Sequence, residues 1–168
     1  DTKGMSVTLN EATSKDGTKV PYFLVRAKGN DENSGPKPTV LNGYGGFEIT
    51  SLPVYSGSTG KAFLNHGINF ALACIRGGGE FGPDWSYCAK KENRWKSFED
   101  FNAVAEDLVK IGATTPKQLG CIGGSNGGLL TGAMATHFPE SFGAIVSQCP
   151  LLDMERYVYL TSGSSWID

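Results

Sequence analysis

The chain is 168 residues long and carries a formal charge of -2, with 15 lysines and arginines against 17 acids. That balance excludes a basic nucleic-acid footprint and a polybasic membrane patch. A composition of 39% apolar and 19% charged residues is that of one ordinary globular domain, with chain enough to bury a core.

In chain order, the polar start over residues 1–4 shows no signal peptide, and no stretch reaches the roughly 18 apolar residues of a membrane span. Residues 5–12 and 19–27 predict two strands around an Asp16-Gly17 hairpin turn. Residues 28–38, polar and rich in Pro and Gly, read as a loop. Residues 39–41 predict a short buried strand that runs into Asn42-Gly43-Tyr44-Gly45-Gly46-Phe47. A helix is expected over 58–65, ending at His66-Gly67. An apolar strand is expected over 69–75, ending in Arg76-Gly77-Gly78-Gly79-Glu80.

Residues 97–111 carry the strongest helical pattern. Phe98, Phe101, Ala105, Leu108 and Ile111 recur at helical spacing, Ser97 is the expected N-cap with Asp100 three residues on, and Gly112 is the stop. A strand over 119–122, a helix over 126–137 and a strand over 142–147 follow. Strands alternating with helices predict an α/β fold. Its sheet is mostly parallel with helices on both faces, and the leading hairpin adds antiparallel strands at one edge.

Glycine is the compositional outlier: its 23 residues are about twice the usual ~7% share. The clusters at Gly43, Gly45 and Gly46, at Gly77 to Gly79, and at Gly123, Gly124, Gly127 and Gly128 each follow a predicted strand. Those are the carboxyl ends of the sheet, where such folds bind ligands. Cys74, Cys88, Cys121 and Cys149 show no CxxC spacing, which argues against a zinc or thioredoxin-type site. Free thiols are expected, with Cys74, Cys121 and Cys149 as small buried hydrophobes. No metal or cofactor is implied.

Gly123-Gly124-Ser125-Asn126-Gly127 matches G-x-S-x-G. It follows an apolar strand and opens a helix, the setting a nucleophile elbow requires. There the serine stands on a strained turn, side chains at the flanking positions would collide with strand and helix, and amide dipoles aim at the serine oxygen. The backbone N–H of Asn126, the residue after the nucleophile, is the expected first oxyanion donor. The alternative is a glycine-rich turn with Ser125 as a plain helix cap. Phosphate-binding readings fit worse. The cluster lacks the Gly-Lys-Ser/Thr ending of a P-loop. A dinucleotide fingerprint begun at Gly43 meets Glu48 at its sixth position and Pro53 before any helix.

On these blocks the chain resembles the catalytic α/β-hydrolase domain of the prolyl oligopeptidase family of serine peptidases. The matching segments are Asn-Gly-Tyr-Gly-Gly-Phe at 42–47, Ile-Arg-Gly-Gly-Gly-Glu at 75–80 with Phe81, Gly82 and Trp85, and Gly-Gly-Ser-Asn-Gly-Gly-Leu-Leu at 123–130. Phe-Pro-Glu-Ser-Phe at 138–142, Leu-Leu-Asp-Met at 151–154 and Trp166 complete them. The resemblance implies that Ser125 attacks the carbonyl of a short peptide and forms an acyl-enzyme. It implies that the Tyr44 hydroxyl is the second oxyanion donor, and that Phe47 and Trp166 line the apolar pocket for the residue before the cut, typically proline. An aromatic face suits a flat pyrrolidine ring. Tyr44 as a turn residue, Phe47 as ordinary core, an esterase or lipase activity, and a non-catalytic interaction fragment are the alternatives. Arg76 and Glu80 are expected to hold their glycine loop rather than touch substrate.

A serine needs a base, and hydrolases of this fold order their triad Ser, Asp or Glu, His. Only His137 follows Ser125, a helix length of about 18 Å away, so it reads as a C-terminal helix cation; His66 reads as surface. Asp153 follows the next strand, where some hydrolases keep their acid, but the family's Asp and His come beyond residue 168. Residues 1–168 are therefore expected to be a partial hydrolase domain without the family's β-propeller, inactive on its own. The strand over 144–147 is then an exposed apolar edge, suited to a complementary fragment or a second copy. Nothing in the residues fixes a compartment.

Overall fold

The computed structural model describes residues 2–160 and 163–166, with 165 and 166 described by backbone only. The leading hairpin pairs β1 (Ser6–Thr13) with β2 (Lys19–Arg26), from Ser6 opposite Arg26 to Thr13 opposite Lys19. Its turn closes through Ser14 N–H to the Thr18 carbonyl (2.8 Å) and Gly17 N–H to the Ser14 carbonyl (2.9 Å). Gly17 takes a φ of 86°, which a glycine adopts without steric cost.

Four further strands follow: β3 (Thr39–Asn42), β4 (Asn69–Ala73), β5 (Leu119–Gly124) and β6 (Ala144–Gln148). Among the described residues they join the hairpin in one sheet of order β1-β2-β4-β3-β5-β6. The pairings from β4 through β3 and β5 to β6 are parallel, and the β1–β2 and β2–β4 pairings are antiparallel. This is the partial α/β-hydrolase architecture expected from the sequence.

Helices α1 (Gly57–Ala62), α2 (Pro83–Tyr87), α3 (Trp95–Lys110) and α4 (Asn126–His137) connect the strands. Alternation along β2 sends Val20, Tyr22 and Leu24 to the face covered by α3, where they meet Leu41, Ala71, Phe101, Val104 and Leu108. Each of the Val, Leu and Phe side chains contributes roughly 1.5–3 kcal/mol of burial. α4 lies over β5 and β6 on this same side and adds Leu130 and Met134. The opposite face is covered less fully. Phe63, at the end of α1, stacks on Phe70 of β4 with ring centres 6.2 Å apart. Beside it an apolar cleft of about 1010 Å³ opens among Phe23, Val25, Leu64, Phe70 and Leu72.

Three local expectations are corrected. Ser97 is not an N-cap: α3 starts two residues earlier, and the buried Ser97 Oγ donates to the Arg76 carbonyl at 2.6 Å. Ile111 is the C-cap residue and is exposed, because Gly112 at φ 73° turns the chain away before another helical position can face the core. Cys74 and Cys121 are buried free thiols, and burial pushes each up to about 12. Cys149 is exposed instead, since β6 ends at Gln148 and the chain then bends through a φ of 36°.

Candidate active site

Ser125 is the one residue between the end of β5 and the start of α4. Its backbone stands at φ 56°, ψ -116°, a conformation that L-residues rarely adopt and that costs on the order of 1–3 kcal/mol. Neighbouring elements hold it there. Its N–H donates to the Gln148 carbonyl of β6 at 2.9 Å, and its carbonyl accepts from Gly128 (2.9 Å) and Leu129 (3.1 Å). The flanking glycines are sterically required: a Cβ at Gly123 would strike the Gly127 carbonyl, and one at Gly127 would stand 2.7 Å from the Gly43 carbonyl oxygen.

Ser125 is exposed and occupies the cap position of α4, yet its side chain makes no cap hydrogen bond. A serine serving as a plain cap would spend its oxygen on an N–H of the first turn. Here the hydroxyl is available for chemistry, while the first amides of α4, at Asn126 and Gly127, have no acceptor within the helix. The helix dipole favours negative charge at this point.

The turn that carries Tyr44 leans on the same helix end. The Asn126 side-chain nitrogen donates to the Tyr44 carbonyl at 2.5 Å, and its amide oxygen accepts from Arg94 Nη2 at 2.8 Å. One partner only accepts and the other only donates, so the amide has a single workable orientation. Arg94 Nη1 also donates to the Gly45 carbonyl at 2.6 Å. A Cβ at Gly127 would lie 3.7 Å from Tyr44 Cδ2, so the tyrosine ring flanks the first turn of α4.

Two residues further, Ile49 N–H donates to the Gly46 carbonyl at 3.0 Å and closes a tight turn. Phe47 and Glu48 occupy its centre with φ of 56° and 57°, unusual for non-glycine residues. Phe47 is 51% exposed on that turn, so it is not core.

Arg76 and Glu80 anchor the second glycine cluster. Arg76 is buried; it donates from Nε (2.9 Å) and Nη2 (2.6 Å) to the Asp100 carboxylate and from Nη1 (2.6 Å) to Asp16. The hairpin turn, the loop after β4 and α3 are thereby locked together. Glu80 Oε1 accepts the Ser51 N–H at 2.7 Å, whereas Oε2 is buried without a hydrogen-bond partner among the described residues, and burial raises the carboxyl above its ordinary value.

Neither histidine is near the elbow. His137 ends α4, at the other end of the helix that Asn126 opens, with its ring 4.6 Å from that of Trp95. His66 lies in a short turn of helix after α1. Asp153 is held by Arg156, whose Nε donates to it at 2.7 Å and whose guanidinium lowers its pKa. The Trp166 side chain lies outside the described residues. Arg94 was not singled out by the sequence, since its partners are 49 and 32 residues away along the chain. Among the described residues, no cluster of three or more His, Cys, Asp and Glu side chains could hold a metal ion. No helix there is long and apolar enough to cross a membrane.

Residues 55–168 match the model of the prolyl oligopeptidase family. The chain is 48% identical over 166 residues to an uncharacterized peptidase of Sinorhizobium fredii, covering 99% of this chain and 23% of that one. It is 42% identical to the prolyl endopeptidase of Dictyostelium discoideum, over 91% of this chain and 20% of that one. Among solved structures, a post-proline cleaving enzyme from Rickettsia typhi superposes with a TM-score of 0.93 at 45% identity, over 99% of this chain and 24% of that one. Prolyl oligopeptidase B from Galerina marginata superposes with a TM-score of 0.94 at 37% identity, again over 99% and 24%. The chain thus spans about a quarter of the length of these relatives.

Proposed function

The chain belongs to the prolyl oligopeptidase family, and from that membership we propose that it is the serine-bearing part of a peptidase that cuts short peptides after proline. Ser125 attacks the substrate carbonyl. The Asn126 N–H and the Tyr44 hydroxyl receive the oxyanion, and water hydrolyses the resulting acyl-enzyme. Phe47 offers an aromatic face to the proline ring before the cut. The observation that carries this reading is the exposed, uncapped Ser125 at φ 56° on the bend between β5 and α4.

The two histidines lie at helix ends away from the elbow. The base and the acid that complete the triad are accordingly assigned to residues outside these 168, and residues 1–168 to one part of the hydrolase domain. On this reading the isolated chain is inactive. The β6 edge is where a complementary part of the sheet, or a second copy, adds its next strand.

The test uses the polypeptide that the gene encodes. A proline-linked chromogenic amide should be hydrolysed, and Ser125→Ala should abolish turnover. Hydrolysis of simple esters with no cleavage of the amide would favour an esterase of the same fold. Loss of neither activity in Ser125→Ala would end the proposal.

A further inference from the structure

Arg94 contacts the first residue of α4 behind the elbow, and among the described residues no acid balances it. Among the described residues, the ion pairs of the fold engage Arg76 and Arg156 but no carboxylate reaches Arg94. Its guanidinium is half-buried, with its carbon 5.4 Å from the ring centre of Phe98. Burial pulls it down to about 10, and the neighbouring Tyr44 phenol acts in the opposite sense. A desolvated cation satisfied only by neutral acceptors is costly to keep. Arg76, by contrast, has two carboxylates.

What Arg94 touches suggests its use. Nη1 holds the Gly45 carbonyl and Nη2 holds Asn126 Oδ1, while the other end of that same amide holds the Tyr44 carbonyl. Two successive carbonyls of the Tyr44 turn are therefore tied to the first residue of α4 through one guanidinium and one side-chain amide. Gly46 fits against that amide so closely that a Cβ would stand 2.5 Å from its nitrogen. The turn has little freedom to shift relative to the helix end.

We propose that Arg94 is a positioning residue of the oxyanion site, clamping the Tyr44 turn to the Asn126 amide and leaving its own positive charge uncompensated beside both donors. The proposal rests on the reading of Ser125 as nucleophile. Pre-set donors matter most when charge develops in the transition state, so the loss should fall on turnover rather than on substrate binding.

The experiment compares Arg94→Met and Arg94→Lys with wild type in the polypeptide the gene encodes, measuring kcat and KM on a proline-linked amide, the rate of fluorophosphonate labelling at Ser125, and Tm. Arg94→Met should lower kcat and the labelling rate by roughly 10- to 100-fold, with KM within about threefold. Arg94→Lys, which keeps the charge and one of the two contacts, should recover part of that loss even if Arg94→Met folds poorly. Equal labelling rates in wild type and both variants would overturn the proposal while leaving Ser125 as nucleophile. So would a raised KM with unchanged kcat, or a loss of turnover no larger than the loss of folded protein. Absence of labelling in wild type would remove the underlying reading of Ser125, and this proposal with it.

Discussion

The side-chain amide of Asn126 donates to the backbone carbonyl of Tyr44 at 2.5 Å, joining residues 82 positions apart in the chain. The backbones that carry the two groups proposed to receive the oxyanion, an amide at the helix end and a phenol on the loop after β3, are thus tied to each other before substrate arrives. Donors set in place beforehand need not reorganise as charge develops in the transition state.

If Tyr44 donates through its hydroxyl, Tyr44→Phe should lower kcat by roughly 10²–10³-fold while leaving the fold intact. Steady-state kinetics on a proline-linked amide, with circular dichroism as the control, checks this. Unchanged kcat would make Tyr44 an ordinary turn residue.

The Gly127→Ala variant should lose both stability and labelling of Ser125. Its Cβ would stand 2.7 Å from the Gly43 carbonyl oxygen, a backbone atom rather than the far end of a flexible side chain. Overpacking of this sort costs roughly 1–3 kcal/mol. Thermal melts and probe labelling read the two effects separately.

Removing Asp100 should be far more damaging than removing Asp16, although both pair with Arg76. Asp100 is fully buried, while the Asp16 side chain is 40% exposed. Asp100→Ala is expected to cost about 3–5 kcal/mol because it leaves a buried guanidinium partly unpaired, and Asp16→Ala about 1 kcal/mol or less. Arg76 also holds the Asp16 carboxyl well below the usual carboxylate range. Its contribution is therefore present above the unfolded value near pH 4 and is lost as pH falls further, through the depressed folded value. Urea titrations at a series of pH values, following tryptophan fluorescence, test both statements.

Glu80 should show the opposite sign. Burial raises its carboxyl, so the folded chain holds this proton more tightly than the unfolded one, and stability falls as pH rises from about 4.3 through the raised value. Glu80→Gln keeps an oxygen for the Ser51 N–H and removes the desolvated charge. Its Tm should equal or exceed that of wild type at neutral pH, and the gap should close near pH 4. A Tm below wild type at neutral pH would show that the charge is stabilising.

The elbow was legible because its determinants are local. An apolar strand, glycines on both sides of Ser125 and a helix-forming run after it all fall within 20 residues of sequence. The alternation of strands and helices likewise gave the sheet and the position of the hairpin at its edge. Features set by tertiary contact were not legible. Ser97 has the residue type of a cap, but its hydroxyl is claimed by the Arg76 carbonyl 21 residues away, inside the helix rather than before it. α2 spans only five residues, too short for a period to register. Arg94, four residues before a well-patterned helix face, looks like any exposed cation until its partners at Gly45 and Asn126 are known.

The most direct measurement is peptide mapping of the fluorophosphonate adduct formed by the polypeptide the gene encodes. The adduct is predicted on the peptide that contains Ser125, and it should disappear in Ser125→Ala. An adduct on a different serine, or none at Ser125 in an enzyme that still cleaves peptides, would contradict the account.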